Sequence, residues 1–216
     1  MSAKVKICGL TRPEDASLAV EHGAWAIGMV FHPDSPRHVD IDAAAEIAST
    51  YRRRCEVVGV FVNTPLDDVL RTLGSVPLTA LQLHGDEGPS YCAEAGRRSG
   101  LKVIKAVRAK DIHAVRSLSA FSTDFHMIDA YVPGSYGGTG ERFDWELAAA
   151  HPGGTPLVLS GGLTAENVGE ALSVVKPFAV DVASGVEAAP GVKDPYRLQA
   201  FFEAVASASP APAAQT

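Results

Sequence analysis

The sequence is poor in cysteine and in clustered positive charge, and each shortage excludes a class of protein. Its three cysteines, Cys8, Cys55 and Cys92, lie in separate segments without CxxC spacing. This pattern argues against a disulfide framework or a zinc site and favours a reducing compartment. The longest basic run is 52–54, and the net charge is −6. A nucleic-acid partner or an anionic membrane surface is therefore not indicated.

Long apolar runs and leader-like segments are also missing. No apolar run approaches the roughly 20 residues that a membrane-spanning helix needs, and residues 1–6 lack the apolar core of a signal peptide. No GxGxxG motif follows a strand pattern, so a dinucleotide is not implied. We expect a cytoplasmic protein that binds a small molecule, with no nucleic acid, membrane or metal involved.

Short, β-branched apolar runs recur along the chain, each followed by a turn and a segment with helical spacing. This is the pattern of repeated βα units, and continuous rather than alternating hydrophobicity is typical of parallel strands covered on both faces. Eight strands are predicted: Val5–Cys8, Ala26–Phe31, Glu56–Val62, Ala80–Leu83, Val103–Val107, His126–Asp129, Leu157–Leu159 and Ala179–Val182.

Helices are predicted between these strands, with Thr11 and Thr164 as capping hydroxyls of two of them. The chain has 216 residues, 46% of them hydrophobic, which suits one α/β domain, a (β/α)₈ or TIM barrel, over residues 1–206. The Ala/Pro/Ser-rich segment 207–216 is expected to be a disordered tail. The predicted helices are Pro13–His22, Ile41–Tyr51, Pro65–Leu73, Ser90–Arg98, Ile112–Leu118, Phe143–Ala150 and Ala165–Val174.

Polar residues at the predicted carboxyl ends of the strands are the candidates for function, because a parallel barrel carries its active site there. Adjacent Gly161 and Gly162, together with the small residues of the next loop, favour a phosphate held by backbone N–H groups. A tight strand-to-helix turn is the plainer explanation of the glycines. The candidates are Cys8, Arg37, His84, Asp129, Gly161, Gly162, Asp181, Ala183 and Ser184.

Cys8 and Asp129 are the candidates for proton transfer. Asp129 ends an apolar run, where a carboxylate is costly unless it has a partner or stays protonated, so it suits a general acid as well as it suits a loop cap. A free cysteine is most often a small buried hydrophobe. Cys8 differs from the other two because nearby N–H groups or a cation at the barrel mouth could favour its thiolate.

Arg37 and His84 follow strands two and four. Arg37, in a loop stiffened by two prolines, could grip a carboxylate bidentately, or it could be an ordinary arginine on a loop rim. His84 could be a polar contact to substrate, but a structural or secondary role is favoured.

At this point the sequence resembles the phosphoribosylanthranilate isomerase family of tryptophan biosynthesis, from end to end apart from the tail. Many motifs in the right order are far more specific than any one of them. Two departures are Ser160, where the family commonly has Ala, and Ala183, where it often has Ser. The matching stretches are 6–11, 31–37, 58–63, 81–85, 137–140, 143–145, 161–163, 166–168, 181–187, 190–191 and 193–194.

The resemblance implies an Amadori rearrangement of a phosphorylated aminoaldose to an aminoketose, without metal or organic cofactor. It implies that Asp129 protonates the ring oxygen, that the Cys8 thiolate removes the C2 proton, and that Arg37 holds the anthranilate carboxylate. Asp181 matches a family position near the substrate hydroxyls. Backbone groups around Gly161, Gly162, Ala183 and Ser184 would hold the phosphate.

Other phosphate-binding barrels are the alternatives. The histidine-pathway aminoaldose isomerase would show two half-barrel repeats and an Asp on strand one, whereas strand one here ends in Cys8. Indole-glycerol-phosphate synthase would need Lys/Glu groups that are not found in matching places. A barrel that only binds a phosphorylated ligand would need neither Cys8 nor Asp129. The family includes monomers and dimers, so a monomer or a homodimer is expected.

Overall fold

The computed structural model describes residues 3–129 and 145–208 and forms one closed barrel of eight parallel strands. The barrel predicted from the sequence is therefore confirmed, and each strand pairs with its neighbours in chain order. The strands are β1 Lys4–Cys8, β2 Ala26–Val30, β3 Glu56–Phe61, β4 Ala80–Leu83, β5 Lys102–Arg108, β6 Phe125–Asp129, β7 Leu157–Ser160 and β8 Ala179–Val182.

All eight predicted strands are present, and their ends agree within one residue. The agreement is close because strands buried on both faces leave an apolar run that stops where the loop begins. The helices are α1 Pro13–Glu21, α2 Ile41–Tyr51, α3 Leu66–Ser75, α4 Pro89–Ser99, α5 Ile112–Arg116, α6 Trp145–Ala149, α7 Val168–Val175 and α8 Pro195–Ala208.

The helix starts are predicted less well than the strands. The two capping threonines are wrong: the residue before α1 is Arg12, with no side-chain cap, and the Thr11 hydroxyl donates to the carbonyl of Gly191 instead. α7 begins at Val168, three residues later than predicted, because the intervening residues form a turn. The side chains that do cap include Asp40, Asp111 and Asp194, which accept from first-turn N–H groups of α2, α5 and α8.

Two apolar layers form the core. Small and medium side chains fill the interior of the barrel, as its taper requires, and a larger layer lies between the strands and the surrounding helices. Trp25, Phe125 and Phe178 pack edge to face or tilted at the amino ends of the strands. The interior layer consists of Ala26, Val58, Ala80, Ile104, Ala106, Met127, Val158 and Ala179.

The carboxyl end of the barrel is polar and carries an added hairpin. After β8 a short 3₁₀ helix, Ser184–Val186, leads into β9 Glu187–Ala189, which pairs antiparallel with β10 Val192–Lys193. α8 then closes the chain and continues to Ala208, two residues into the segment predicted as a tail. The remaining tail residues and the predicted helix start at 143–144 lie outside the described residues.

Candidate active site

The structure places every candidate residue at the carboxyl end of the barrel, as the strand pattern predicted. Cys8 ends β1, Asp129 ends β6 and Asp181 lies within β8. Arg37, His84, the two glycines, Ala183 and Ser184 lie in the loops or turns that follow their strands. The eight-stranded register therefore brings together side chains that are up to 176 residues apart in sequence.

Cys8 lies in a buried cluster of charged residues. Its neighbour two residues back on β1, Lys6, is fully buried, and the Lys6 ammonium donates to Asp181 Oδ1 at 2.8 Å. The other carboxylate oxygen, Oδ2, accepts from the Ser160 hydroxyl at 2.9 Å. Lys6 and Asp181 are register partners on β1 and β8, so the ion pair follows directly from the strand pairing. A buried ion pair of this kind has to be hydrogen bonded on both sides to offset desolvation.

Gly28 on β2 leaves the space that this cluster occupies. It is the register partner of Cys8, and a Cβ at this position would lie 2.9 Å from both the Cys8 sulfur and the Lys6 nitrogen. Real Cβ atoms do not approach so closely. Any larger residue at this position would displace the thiol or the ammonium, because both occupy the volume that its Cβ would fill.

The electrostatic environment of Cys8 differs from the sequence-based expectation. Burial raises the pKa of the thiol above its usual value, and the charges of Lys6 and Lys193 and a hydrogen bond from Lys6 only partly counter it. The expectation that the mouth of the barrel lowers this pKa is thus wrong for the free protein. A cation beside the sulfur is present, as proposed, but desolvation outweighs it.

Lys193 fastens the hairpin to the end of β1. Its buried ammonium donates to the carbonyl of Cys8 at 2.6 Å, to the carbonyl of Ala183 at 3.3 Å and to Glu187 Oε1 at 2.9 Å. Burial lowers the pKa of Lys193, and Glu187 opposes that effect. Three acceptors match the three N–H bonds of an ammonium. The backbone that carries Cys8 is therefore held from the hairpin side.

Arg37 forms a bidentate pair with Glu187. Its Nε and Nη2 atoms donate to the two carboxylate oxygens at 2.7 to 3.1 Å, and this bonding raises the pKa of Arg37. Gly9, at φ +75°, permits the approach, since a Cβ there would lie 2.5 Å from Arg37 Cδ. The guanidinium is thus oriented by protein, with its charge partly compensated before any substrate binds.

Asp129 belongs to a different kind of arrangement. Its Oδ2 lies 3.2 Å from His84 Nε2, and both side chains are 19% exposed. His84 Nδ1 lies 2.8 Å from the Gln82 amide nitrogen, which can only donate. When the Gln82 amide nitrogen donates to Nδ1, a neutral imidazole carries its proton on Nε2, from which it can be donated to Asp129. His84 therefore contacts the candidate acid and also lies at the carboxyl end of the barrel.

The loops after β7 and β8 have the backbone geometry that an anion site needs. Gly161 and Gly162 have φ values of +97° and +64°, a region that favours glycine. The Asn167 side chain donates to the Gly162 carbonyl and accepts from the Thr164 N–H, which fixes the loop. A Cβ on Gly185 would lie 2.0 Å from the carbonyl of Leu163. The two loops therefore pack directly against each other.

One surface cleft lies at the opposite end of the barrel. It has a volume of about 660 Å³ and is lined by residues at the amino ends of the strands, including Lys4, Trp25 and Arg53. A smaller cleft of about 430 Å³ adjoins the site and is lined by residues that include His84, Lys105 and Ala114 of α5. Size alone would favour the wrong end, whereas in parallel barrels the carboxyl end carries the chemistry.

Residues 3–129 and 145–208 contain no group of three or more His, Cys, Asp or Glu side chains arranged to hold a metal ion. Among these residues there is also no helix long and apolar enough to span a bilayer.

Comparison with known proteins identifies the family. The family model for N-(5′-phosphoribosyl)anthranilate (PRA) isomerase matches residues 5–204. The chain belongs to the PRA isomerase family. A relative of that name from Geobacter sulfurreducens is 49% identical over 199 residues, covering 92% of this chain and 96% of the relative.

Solved PRA isomerase structures share the fold over nearly the whole chain. The enzyme from Thermotoga maritima superimposes with a TM-score of 0.85 at 40% identity, covering 95% of this chain and 99% of that one. A PRA isomerase structure in complex with reduced 1-(o-carboxyphenylamino)-1-deoxyribulose 5-phosphate gives a TM-score of 0.81 at 38% identity, with the same coverage.

Sequence reasoning missed four residues of the candidate site: Lys6, Gln82, Glu187 and Lys193. For Lys6 and Gln82 a signal existed, because each is a polar residue inside a buried strand, two positions before a candidate and therefore on the same face. Glu187 and Lys193 fall within the matching stretches 181–187 and 193–194, but no local pattern indicated what they contact. Their partners lie on β1 and in the loop after β2, which only the closed barrel brings near the hairpin.

Proposed function

We propose that this chain catalyses the Amadori rearrangement of N-(5-phospho-β-D-ribosyl)anthranilate to 1-(2-carboxyphenylamino)-1-deoxy-D-ribulose 5-phosphate in tryptophan biosynthesis. The proposal rests on one observation above the others: a PRA isomerase match over residues 5–204 coincides with Cys8 and Asp129 at the carboxyl ends of β1 and β6. These residue types supply a base and an acid, which is what an aldose-to-ketose isomerisation requires.

The acid step uses Asp129. Its carboxyl group donates a proton to the furanose ring oxygen while the C1–O bond breaks, and the nitrogen lone pair forms the C1=N bond of the Schiff base. His84, at 3.2 Å from Oδ2, holds the carboxyl group in position and donates to the carboxylate that remains. A donor already aimed at the developing anion needs no reorganisation during the step.

The base step uses Cys8. Its thiolate removes the C2 proton of the Schiff base, and the electron pair moves toward nitrogen to give an enolamine, which tautomerises to the ketone. The rearrangement is redox-neutral overall, so it needs no external electron acceptor. Desolvation of Cys8 strengthens the base, because a poorly solvated thiolate holds a proton more tightly.

Four sets of contacts would orient the substrate. The Arg37 guanidinium, oriented by Glu187, would bind the anthranilate carboxylate, and Asp181 would lie near the sugar hydroxyls. The phosphate would bind the backbone around Gly161, Gly162, Ala183 and Ser184, and the positive φ values of the two glycines suit an anion site built from backbone N–H groups. His84 would be a polar contact near the reacting centre. Holding both ends of an elongated substrate fixes C1 and C2 between acid and base.

Turnover of the fluorescent substrate tests the proposal. The substrate is generated in situ from anthranilate and phosphoribosyl pyrophosphate, and the loss of its fluorescence is followed with the wild-type chain. Rapid decay is expected, and it should persist in Cys55→Ser, a matched change at a thiol outside the site. Folded wild-type protein that leaves the fluorescence unchanged would refute the isomerase and favour a barrel that only binds a phosphorylated ligand.

The assembly is proposed to be a monomer or a homodimer. One similar structure is described as monomers generated from the dimeric isomerase of Thermotoga maritima, at 36% identity and a TM-score of 0.81. Size-exclusion chromatography with light scattering distinguishes the two states.

A further inference from the structure

Lys6 is a buried lysine whose position the proposed chemistry does not yet explain. It lies in the middle of β1 with no exposed side-chain surface, and the adjoining interior layer of the barrel is apolar. Burying a lysine as an ion in such a place is costly unless it is paired. Its ammonium faces two groups, the Asp181 carboxylate at 2.8 Å and the Cys8 sulfur.

The strand geometry makes the contact with Cys8 direct. Residues two apart on a strand point to the same side, so Lys6 and Cys8 both enter the barrel from β1. Gly28 on the neighbouring strand contributes no side chain. A Cβ there would lie 2.9 Å from both the Cys8 sulfur and the Lys6 nitrogen, so its absence leaves the space in which these two side chains meet. No apolar side chain therefore separates the ammonium from the sulfur.

Charge balance in the cluster depends on the state of Cys8. Three cations, Lys6, Lys193 and Arg37, and the Asp181 carboxylate act electrostatically on the thiol. Glu187 pairs with Arg37 and Lys193, and Ser160, from β7, is uncharged. With a neutral thiol these groups carry one uncompensated positive charge, and with a thiolate the charges balance. A charged Lys6 therefore lowers the cost of ionising Cys8, although burial still raises the thiol pKa above its usual value.

We propose that Lys6 is a positioning residue for the reaction, whose ammonium stabilises the Cys8 thiolate against the cost of burial in a Cys8–Lys6–Asp181 cluster. Asp181 and Ser160 hold Lys6 in turn, so that its ammonium stays beside the sulfur instead of withdrawing toward solvent. The inference deepens the proposed function and rests on it for the catalytic meaning of the thiolate, but the electrostatic link between Lys6 and Cys8 can be measured without turnover.

The ionisation of Lys6 is consistent with this assignment. Burial lowers its pKa, but the charges of Asp181 and Cys8 and the hydrogen bonds to both outweigh burial and raise the pKa above the usual value. Conversely, Lys6 is the strongest influence opposing the effect of burial on Cys8, while Asp181 acts in the same direction as burial. Removing Lys6 and removing Asp181 should therefore shift the Cys8 titration in opposite directions.

The test is a titration of the Cys8 thiolate by its ultraviolet absorbance at about 240 nm, in a chain in which Cys55 and Cys92 are replaced by Ala. Lys6→Met is compared with the parent and with Lys4→Met, a matched change at the exposed end of the same strand. In Lys6→Met the midpoint should rise by about one pH unit or more. In Asp181→Asn it should fall, and in Lys4→Met it should stay unchanged.

The pH profile of kcat/KM provides the second measurement. In Lys6→Met the acid limb of this profile should shift to higher pH together with the midpoint of the thiolate titration. Lys6→Arg keeps the positive charge and should retain part of the kcat/KM that Lys6→Met loses. A folded Lys6→Met with an unchanged midpoint overturns the proposal. If Lys6→Met does not fold, the comparison moves to Asp181→Asn against Lys6→Met/Asp181→Asn, where the double variant should titrate higher and equal midpoints overturn the proposal. Absence of turnover by the parent would refute the isomerase, whereas the titration would still decide the role of Lys6.

Discussion

The two proton-transfer residues of the proposed reaction lie in contrasting surroundings. Cys8, on β1, is 8% exposed and lies in a cluster of three cations and two carboxylates from β1, the loop after β2, β8 and the hairpin. Asp129, on β6, is 19% exposed and contacts His84, which in turn contacts the Gln82 amide. The base thus lies among buried charges, and the acid lies beside an imidazole and an amide nearer to solvent.

The difference follows from what each residue has to do. A thiolate must be formed and kept in a place that water does not reach, and only countercharges can stabilise it there. A carboxyl group that gives up and regains a proton in each cycle benefits from a donor that remains neutral and from access to solvent. We therefore expect the β1/β8 side to respond to changes in charge and the β4/β6 side to changes in hydrogen bonding.

The largest effect should come from removing either proton-transfer group. Cys8→Ser and Asp129→Asn should each reduce kcat by about 10² to 10⁴, because general acid or base catalysis contributes that much. The rate of fluorescence decay of the substrate measures the loss of kcat. Asp86→Asn, at an exposed carboxylate near the mouth of the barrel, is the control. Asp129→Asn should still bind a product analogue with near-normal affinity by calorimetry, and loss of binding would contradict a purely catalytic role.

A smaller effect is expected from the residue behind the acid. His84→Phe removes the donor to Asp129 and should lower kcat by about tenfold, the value of one hydrogen bond to a charged group. His84→Gln restores an N–H donor and should recover part of the loss. Equal activities for the two variants would show that His84 acts by packing and not as a donor.

Ser160→Ala tests the contact between β7 and the Cys8–Lys6–Asp181 cluster. The variant removes the hydrogen bond to Asp181 Oδ2 and should lower the free energy of unfolding by about 1 kcal/mol with a reduction of a few fold in kcat/KM. Urea denaturation measures the first quantity, and Ser173→Ala on exposed α7 is the control. A stability unchanged from wild type would mean that water replaces the hydroxyl and that Asp181 is not held from β7.

The smallest expected effect is on the pH dependence of stability, and it comes from His126 and His151, which lie outside the surroundings of Cys8 and of Asp129. His151 accepts at Nδ1 from the Gly153 N–H and donates through Nε2 to His126, which in turn donates to the Phe121 carbonyl. This chain uses every nitrogen of two neutral rings, and burial lowers the pKa of both below 6.5. A depressed histidine pKa means that the unfolded chain binds more protons, so stability is complete above pH 6.5 and declines below it.

Thermal unfolding between pH 7.5 and pH 5 measures this decline. His126→Gln should show a shallower decrease below pH 6.5 than the wild type, whereas His113→Gln, at an exposed site on α5, should behave as wild type. The same pH dependence in His126→Gln would assign the decline to other groups. The comparison also separates acid effects on stability from the acid limb of activity that Cys8 is expected to set.

Much of the fold was determined by local sequence pattern. Each strand is buried on both faces, and this burial requires an uninterrupted apolar run in the sequence. The ends of such a run can be identified to within one residue. The helix starts were harder to identify, as Thr11 shows: its hydroxyl had a local partner available in principle, but the Gly191 carbonyl, 180 residues away, competes for it. Side-chain capping is decided by such competition.

The sequence alone also determined which end of the barrel carries the polar candidates, because residues at strand ends in a parallel barrel share one face. Only the tertiary structure decided which of these residues touch. The pairing of β1 with β8 sets Lys6 beside Asp181, and closure of the hairpin brings Lys193 and Glu187 to Cys8 and Arg37. The charge on a buried thiol depends on the sum of such through-space contacts and on desolvation, and neither is encoded in the residues adjacent to it in sequence.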